Sequence, residues 1–384
     1  MVWPRTARDH RHPPTLRRPG IVLVAVALSA GCGEPTDSVS HTVQLDPYAS
    51  VIAPPSMIDE IVLLEGDLAC VIDTYWYRVA CTDPGGESFR FGKEGEGPGE
   101  LTDPFAILRG PGATIGVVDM GLGRLSVFSK AGEFLTSTPG LPRGFLGGGS
   151  QEMAGTLVGT HLKRDPDGGF FWVNVEIDPG TGRVVWERAF PDEAAVVDCS
   201  TPTPGSRRRQ LSLGYDDRGG GRLFVTCYGE FLVWYGDREA DEPDAIVRST
   251  YVERYPTDED VEAALERLNS IPAGGWRPDT SEDGIRERPR VWYGSRVVDD
   301  RRRFWAVSQW NSEPAVIPAF SHIDVFRLAD TGPEYALTLQ VADKVVGMDV
   351  LGNTLAVLVE RDTGGVVRER RVDWYDVTHL ASQR

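Results

Sequence analysis

The stretch Leu68-Ala-Cys-Val-Ile-Asp73, followed by a four-residue turn and by Arg78-Val-Ala-Cys81, decides the fold of this chain. It returns 46 residues later as Thr114-Ile-Gly-Val-Val-Asp119, a second four-residue turn and Arg124-Leu-Ser-Val-Phe128. Both copies place an aspartate and an arginine five positions apart across the turn, between short alternating apolar segments. This pattern is typical of antiparallel hairpins, and its repetition predicts a fold built from small, similar sheets.

Weaker copies of the same hairpin continue to the end of the chain. Four short strands every 45 to 65 residues form the blade of a β-propeller. The predicted blades are residues 57–91, 105–136, 145–190, 210–255, 291–341 and 345–377. We therefore expect an all-β fold, a six-bladed β-propeller that spans residues 41–384.

The ends of the chain predict how the ring closes. The last blade supplies only three strands, whereas an unmatched strand, His41 to Leu45, stands before the first blade. Pairing this N-terminal strand as the fourth strand of the last blade would cover the sheet edge that an open propeller exposes. We expect the ring to close in this way.

Composition and charge exclude several classes of protein. Of the 384 residues, 41% are apolar and 25% are charged, and the mean hydropathy is -0.25. These values exclude a disordered chain and a multi-span membrane protein. Without residues 1–31, 35 basic and 56 acidic residues remain, a formal charge of −21. Such a surface repels nucleic acid and anionic lipid and favours cations or basic partners.

The N-terminal segment predicts export and lipid attachment. Five arginines precede an apolar run from Ile21 to Ala30, which reaches only about half of the ~30 Å hydrocarbon core. The run ends Leu28-Ser-Ala-Gly-Cys32, which resembles a bacterial lipobox. The resemblance implies a signal peptide at residues 1–31, a lipid on Cys32 and a polar tether at 32–40. Gly33 after the cysteine implies the outer membrane, with the domain facing the periplasm. An ordinary secretory signal with an incidental cysteine is the alternative.

The other four cysteines form an even set, as expected in an oxidising compartment. A hairpin centred between Tyr75 and Trp76 places Cys70 and Cys81 opposite each other, so we predict a disulfide between them. Cys199 and Cys227 then pair by elimination. A metal site is the alternative, but no CxxC motif occurs, so we expect no metal.

Several segments together resemble a known family. They are Phe91-Gly-Lys-Glu-Gly-Glu-Gly-Pro-Gly-Glu-Leu101, Pro104, the Asp119 to Phe128 block, Ala131-Gly-Glu-Phe134 and the stretch from Tyr293 to Trp305. In this pattern the chain is similar to six-bladed propeller lipoproteins related to the NHL-repeat family. The likeness covers residues 57–136 well and the remainder loosely. It implies the propeller fold, export and a binding role whose ligand is unassigned.

The local motifs of two hydrolase classes are absent from the sequence, although a triad assembled in space needs no local motif. No GxSxG or HExxH occurs. The glycine-rich segment 92–99 lacks the Gly-Lys-Ser/Thr of a phosphate loop and carries acids, so we interpret it as a connection between blades. We interpret Asp73 with Arg78, and Asp119 with Arg124, as structural ion pairs that steady turns.

Chain direction predicts where a ligand would bind. In a blade with alternating strands, the turn between the second and third strands and the connection to the next blade emerge on the same face. That face would collect aromatic and acidic residues: Tyr75, Trp76, Tyr77, Glu94, Glu96, Glu100, Trp276 and Trp310. An insertion at 256–290 would join it, with a short helix at 257–268. Aromatic side chains that merely pack between loops are the alternative.

These observations predict a non-catalytic envelope lipoprotein. We expect its loops to bind a protein, peptide or glycan partner without a cofactor, through exposed rings and charge. No nucleic acid is expected, and the membrane is contacted only through the lipid. A Ca²⁺-dependent lactonase or other hydrolase that uses the central channel is the alternative. Three or more carboxylate or amide oxygens converging in the channel would favour that enzyme.

Overall fold

The computed structural model describes residues 42–142, 146–147, 155–164, 170–199, 215–216, 221–248, 258, 261–262, 265–266, 269, 281–286, 290–310, 320–361 and 368–382. The predicted signal peptide, tether and Cys32 lie outside these residues, as does Trp276. Among the described residues, no helix is both long enough and apolar enough to cross a membrane.

The first half of the chain forms two short leading strands and three blades. The leading strands are β1 (Thr42–Gln44) and β2 (Ala49–Ile52). Blade 1 contains β3 (Ile61–Leu64), β4 (Leu68–Asp73), β5 (Arg78–Thr82) and β6 (Ser88–Phe91). Blade 2 contains β7 (Pro104–Arg109), β8 (Ile115–Asp119), β9 (Arg124–Phe128) and β10 (Phe134–Pro139). Blade 3 contains β11 (Leu146–Gly147), β12 (Leu157–Arg164), β13 (Phe170–Ile177) and β14 (Val184–Arg188).

The second half forms the other three blades. Blade 4 contains β15 (Tyr215–Asp216), β16 (Arg222–Thr226), β17 (Phe231–Tyr235) and β18 (Ala245–Arg248). Blade 5 contains β19 (Arg290–Val298), β20 (Arg303–Trp310), β21 (Phe320–Ala329) and β22 (Gly332–Ala342). Blade 6 contains β23 (Lys344–Leu351), β24 (Thr354–Arg361) and β25 (Glu369–Asp376). The predicted six-bladed propeller is confirmed.

Helical segments are few in the described residues. The α-helices are α1 (Glu193–Val196) and α2 (Glu282–Arg286), and short 3-10 turns occupy Pro111–Ala113, Cys227–Gly229 and Thr378–Ser382. In the insertion between blades 4 and 5, residues 258, 261, 262, 265, 266 and 269 are helical. The helix predicted at 257–268 is therefore present at every described position of that segment.

Buried apolar side chains hold the blades together as a ring. In the described part of the chain they form six clusters, and each cluster joins two neighbouring blades. Successive residues of one strand serve different interfaces. Ile61 and Leu63 pack toward blade 6, whereas Val62 and Leu64 pack toward blade 2. The cluster between blades 6 and 1 includes Trp374, which is fully buried, so the ring is closed.

The N-terminal strand that closes the ring is not the predicted one. Placing His41 to Leu45 in the last blade is wrong: β1 instead pairs in parallel with β22, as a fifth strand of blade 5. The fourth strand of blade 6 is β2, which pairs antiparallel with β25. Asp46-Pro47 separates the two strands, and an Arg371 guanidinium bonded to Ser50 ties β2 to β25.

Both predicted disulfides are present. Cys70 and Cys81 are directly opposite each other in the register of β4 and β5, and their sulfurs are bonded. Cys199 and Cys227 are also bonded, which connects the segment after blade 3 to blade 4. The blade 1 disulfide lies three residue pairs from the turn that joins β4 to β5.

The strand order defines two faces of the disc. The first strands of blades 5, 6, 1 and 2 contact their neighbours in that order, so they surround the centre. Successive strands of a blade run in opposite directions. The turn between the second and third strands therefore emerges on the same face of the disc as the connection to the next blade. We call this surface the loop face; among the described residues it includes 53–60, 74–77, 92–103, 120–123 and 227–230. The other surface is the opposite face.

Candidate functional site

The turn between β4 and β5 presents two large exposed rings. Tyr75 is 59% exposed and Trp76 is 65% exposed. The predicted ion pair across this turn is present, since Arg78 Nε lies 2.9 Å from an Asp73 carboxylate oxygen. The Arg78 guanidinium also lies over the Trp76 ring, 5.6 Å from its centroid. Tyr77 is half-buried and has φ +50°, which lets the chain turn sharply into β5.

A second segment supports this turn from the adjoining connection. The Met57 amide N–H donates to Thr74 Oγ1 at 3.0 Å. Met57 itself is 77% exposed. An apolar side chain from the connection between blades 6 and 1 is therefore fixed beside the Tyr75-Trp76 turn.

The glycine-rich segment connects blades 1 and 2, as predicted. Glu94 and Glu96 are exposed, whereas Glu100 is half-buried and folds back on its own loop. Glu100 accepts hydrogen bonds from Lys93 Nζ at 2.8 Å and from the Gly97 N–H at 2.7 Å. The Lys93 bond, followed by the Gly97 bond, lowers the pKa of Glu100. Glu100 thus stabilises the loop, and the two exposed glutamates remain available to a ligand.

The second Asp–Arg repeat does not form the ion pair that the sequence predicts. Arg124 instead donates to the carbonyl oxygens of Glu96, Gly97 and Glu100, at 2.7 to 3.0 Å. The Asp119 carboxylate accepts the N–H groups of residues 102, 103 and 122. The connection between blades 1 and 2 brings its carbonyl oxygens within reach of Arg124 and its N–H groups within reach of Asp119. Each side chain therefore bonds to backbone groups instead of to the other side chain. Both side chains hold the acidic loop in place.

Four of the five large exposed aromatic side chains of the described residues lie on the loop face. Of the twelve large exposed hydrophobic residues in the described part, seven lie at this face and five lie toward the opposite face. The seven are Ile52, Met57, Tyr75, Trp76, Leu162, Phe170 and Phe320. The five are Tyr48, Leu135, Val184, Val185 and Ile246. The loop face carries aromatic rings from blades 1, 3 and 5, so it offers a broad surface to a partner.

Sequence reasoning missed several members of this set. Phe170 is 69% exposed and lies opposite Arg164 at the tip of the β12–β13 hairpin. Phe320 begins β21 at the same face. The available signal was an aromatic residue directly after a turn-forming segment, as in Asp165-Pro-Asp-Gly-Gly169 before Phe170. Trp310 ends β20 at this face, and its side chain is outside the described part.

The insertion between blades 4 and 5 contains a groove between its helix and α2. A cavity of about 690 Å³ is lined by Asp258, Val261, Glu262, Leu265, Glu266, Asn269, Glu282 and Arg286. Arg286 bonds to Asp258 at 2.5 Å and to Glu282 at 2.9 Å. These bonds tie the two helical segments to each other.

Polar side chains in the centre of the ring cap backbone groups of the next blade. Ser295 Oγ accepts the Met348 N–H at 3.0 Å. Asp349 accepts the Leu63 N–H at 2.7 Å, and Glu60 accepts the Ile107 N–H at 3.3 Å. In the described sheets the first strand of a blade is an edge strand, and these oxygens accept hydrogen bonds from N–H groups along its inner edge.

Two of these caps are carboxylates with different surroundings. Asp349 also accepts Arg109 Nη2 at 3.2 Å, so its charge is paired. Glu60 is desolvated, which raises its pKa from 4.5 to about 7, and the Ile107 hydrogen bond offsets only part of that shift. Both carboxylates therefore have structural partners within the ring.

The calcium interpretation requires several oxygen ligands around one point. In the described residues, the group with metal-ligand spacing is Glu193 with Cys199 and Cys227. Those two sulfurs are bonded to each other, and the Glu193 carboxylate accepts the Cys227 N–H at 2.7 Å. This group lies between blades 3 and 4, and its soft sulfur atoms are unlike the oxygen shell that Ca²⁺ takes.

Comparisons with known proteins show no family for this chain. No family model matches the chain, and no curated protein matches it. Among 246 matching solved chains, a DUF4221-family protein from Bacteroides vulgatus is 13% identical, with a TM-score of 0.44 over 86% of this chain and 97% of that one. The blades described above define the class of the protein, which is an all-β, six-bladed β-propeller.

Two other solved structures have named activities. The calcium-binding protein regucalcin from Agrobacterium tumefaciens is 9% identical, with a TM-score of 0.42 over 88% of this chain and 97% of that one. A catalytically inactive variant of virginiamycin B lyase from Staphylococcus aureus, with quinupristin, is 9% identical. Its TM-score is 0.33 over 87% of this chain and 90% of that one. At these values the likenesses carry no argument about activity.

Proposed function

We propose that this protein is a non-catalytic, lipid-anchored propeller of the bacterial cell envelope whose loop face binds a protein, peptide or glycan partner. One observation carries the proposal: among the described residues, four of the five large exposed aromatic side chains lie on one face of the disc, together with two exposed glutamates. Scattered single apolar residues are ordinary on a protein surface, but a shared face with several of them is typical of an interaction site.

The chemistry of the face favours binding. Aromatic rings contribute large apolar contact areas at a low entropy cost, and they are enriched at interfaces. Glu94 and Glu96 add negative charge to a chain of formal net charge −17. Electrostatic attraction would therefore speed association with a basic partner and slow association with an acidic one.

The proposed location rests on the N-terminal sequence. The Leu28 to Cys32 segment resembles a lipobox, and export is consistent with two disulfides among the four later cysteines. The acyl chains on Cys32 would insert in the membrane, and residues 33–40 would act as a tether. The relationship to NHL-repeat propeller lipoproteins is part of this proposal, and it rests on segments within residues 91–134 and 293–305.

A comparison of two matched double variants tests the binding proposal. The full chain would be expressed in a Gram-negative host, crosslinked mildly in membranes and purified. We expect Trp76→Ala with Phe170→Ala to remove the crosslinked partner. Leu135→Ala with Val185→Ala, which also removes two exposed apolar side chains but near the opposite face, should retain it. Equal recovery of the partner by both variants would contradict the proposal, provided their thermal unfolding matches the parent.

A further inference from the structure

The Trp76 ring has one covered side and one open side. The Arg78 guanidinium lies over it at 5.6 Å from the centroid. Arg78 is itself fixed by Asp73, which is 1% exposed. The Trp76 residue nevertheless remains 65% exposed. Because the guanidinium covers one side, the open side is a flat, apolar surface with a defined orientation.

The hairpin beneath the ring is stiff. The Cys70–Cys81 disulfide crosslinks β4 and β5 three residue pairs from the turn. The Met57 N–H bond to Thr74 fixes the turn from the side. A Cβ placed on Gly92 would lie 3.4 Å from the Tyr77 carbonyl oxygen and from Arg78 Cα, so the acidic connection packs closely against the same turn. A preorganised ring loses little entropy on binding, which favours affinity.

These contacts distinguish between classes of ligand. A cation on the open side would compete with Arg78 for the same ring quadrupole. A protein pocket that enclosed the whole ring would also cover the 26% of the Arg78 side chain that is still exposed, and so remove the remaining hydration of its charge. The C–H face of a sugar ring needs only the open side, and Tyr75, Glu94 and Glu96 are exposed polar side chains of the same face to which its hydroxyl groups would bond. An anionic sugar would be repelled by those glutamates.

We propose that Trp76 is a stacking platform for a neutral sugar ring, with Tyr75 beside it and Arg78 as the positioning residue. This inference rests on the proposed function, because it names a glycan as the ligand of the loop face. The partner is then an uncharged hexopyranose chain that lies across the β4–β5 turn.

Titration calorimetry and indole ¹H–¹⁵N spectra with cellohexaose, maltohexaose and chitohexaose test the inference. We expect at least one of these probes to bind and to shift the Trp76 indole resonance. Trp76→Ala should weaken binding by about tenfold or more, and Trp76→Phe should weaken it less. Leu135→Ala, near the opposite face, should bind like the parent. The acidic hexasaccharide of hyaluronan should bind more weakly than the neutral probes.

The possible failures are separable. If none of the three neutral probes binds, or if Trp76→Ala binds them like the parent, the sugar platform is overturned. Thermal unfolding of each variant by circular dichroism shows whether a loss comes from misfolding, and Trp76→Phe then provides the second measurement at the same position. If the sugars fail while the crosslinked partner still depends on Trp76 and Phe170, the loop face binds a protein and only the sugar inference falls. If both fail, the proposed function falls as well.

Discussion

One repeated pair of residues, an aspartate and an arginine five positions apart, serves two purposes in this molecule. In blade 1, Arg78 pairs with Asp73 and covers one side of Trp76. In blade 2, Arg124 turns to three carbonyl oxygens of the acidic connection. The side chains are the same, so the difference comes from which backbone groups the neighbouring connection brings near.

Replacing Arg124 should therefore loosen the acidic connection. Three charge-assisted bonds are lost in Arg124→Ala, so we expect the free energy of unfolding to fall by about 2 kcal/mol and hydrogen exchange to rise at residues 94–101. The control is Arg90→Ala, an exposed arginine on β6. Unchanged exchange in this segment for Arg124→Ala would show that other contacts hold the loop.

Glu60 should make stability depend on pH. Its pKa is raised from 4.5 to about 7 in the folded protein, so the folded state binds the proton more tightly than the unfolded chain does. The contribution of Glu60 to stability is therefore full below pH 4.5 and is lost as the pH rises to about 7.

Glu60→Gln tests this dependence, because glutamine can still accept the Ile107 N–H and carries no charge. We expect the variant to be more stable than the parent at pH 8, by on the order of 2 kcal/mol, and to match it near pH 4.5. Denaturant unfolding at several pH values measures the difference. The exposed Glu65→Gln is the control. If the free energy of unfolding depends on pH in the same way for the parent and for Glu60→Gln, the Glu60 carboxyl is not desolvated in the folded protein.

At the scale of elements, two short strands near the N-terminus have unequal importance. Among the described residues, blade 5 has four strands without β1, whereas blade 6 has three without β2. Arg370 reinforces the closure, because it bonds to Asp59 at 2.9 Å and to the carbonyl oxygens of Ser56 and Ile58. We infer that β2 and the connection after it, rather than β1, hold the ring closed.

Matched proline substitutions test this inequality. Val51 lies in β2 opposite Val372, and Val43 lies in β1 opposite Leu339. Proline removes a backbone donor from either strand, yet only Val51→Pro opens the ring, so we expect it to cost roughly 3 kcal/mol or more. Val43→Pro should cost about 1 kcal/mol. If both variants lower the urea midpoint of unfolding by the same amount, β1 contributes to ring closure as much as β2 does.

The sequence predicts these elements better than it predicts their partners. The predicted limits of five blades agree with the structure within four residues, because alternation and turn residues act locally, whereas both predicted limits of blade 4 lie outside the described residues. The closing strand was misassigned because residues 42–44 and 49–52 both form short strands. No local feature of the sequence determines which sheet each of these strands joins. Similarly, Trp76 was predictable as a turn residue, whereas the exposure of Phe170 depends on how far the β12–β13 hairpin extends at the loop face.

At the scale of the whole molecule, six interface clusters form a ring in which each blade packs on two others. Rigid packing around the ring gives the loop face a fixed layout, so side chains from blades 1, 3 and 5 can meet one partner together. An extended partner, such as a glycan chain that crosses the β4–β5 turn, would then contact several blades.

Membrane attachment belongs to the whole molecule as well. Cys32→Ser should remove the acyl chains, so we expect the protein to move from the membrane fraction to the soluble periplasmic fraction while its melting temperature is unchanged. Metabolic labelling with an alkyne fatty acid should mark the parent and not the variant. A variant that keeps both the label and the membrane location would contradict attachment at Cys32.

The most direct test of the central claim is a map of partner contacts over both faces. A photo-crosslinking amino acid would replace Tyr75, Phe170 or Phe320 on the loop face, and Leu135, Val185 or Ile246 toward the opposite face, in cells that express the full chain. The account predicts that the loop-face positions yield one common crosslinked product and that the opposite positions do not. A product confined to the opposite positions, or an equal yield from both sets, would contradict binding by the loop face.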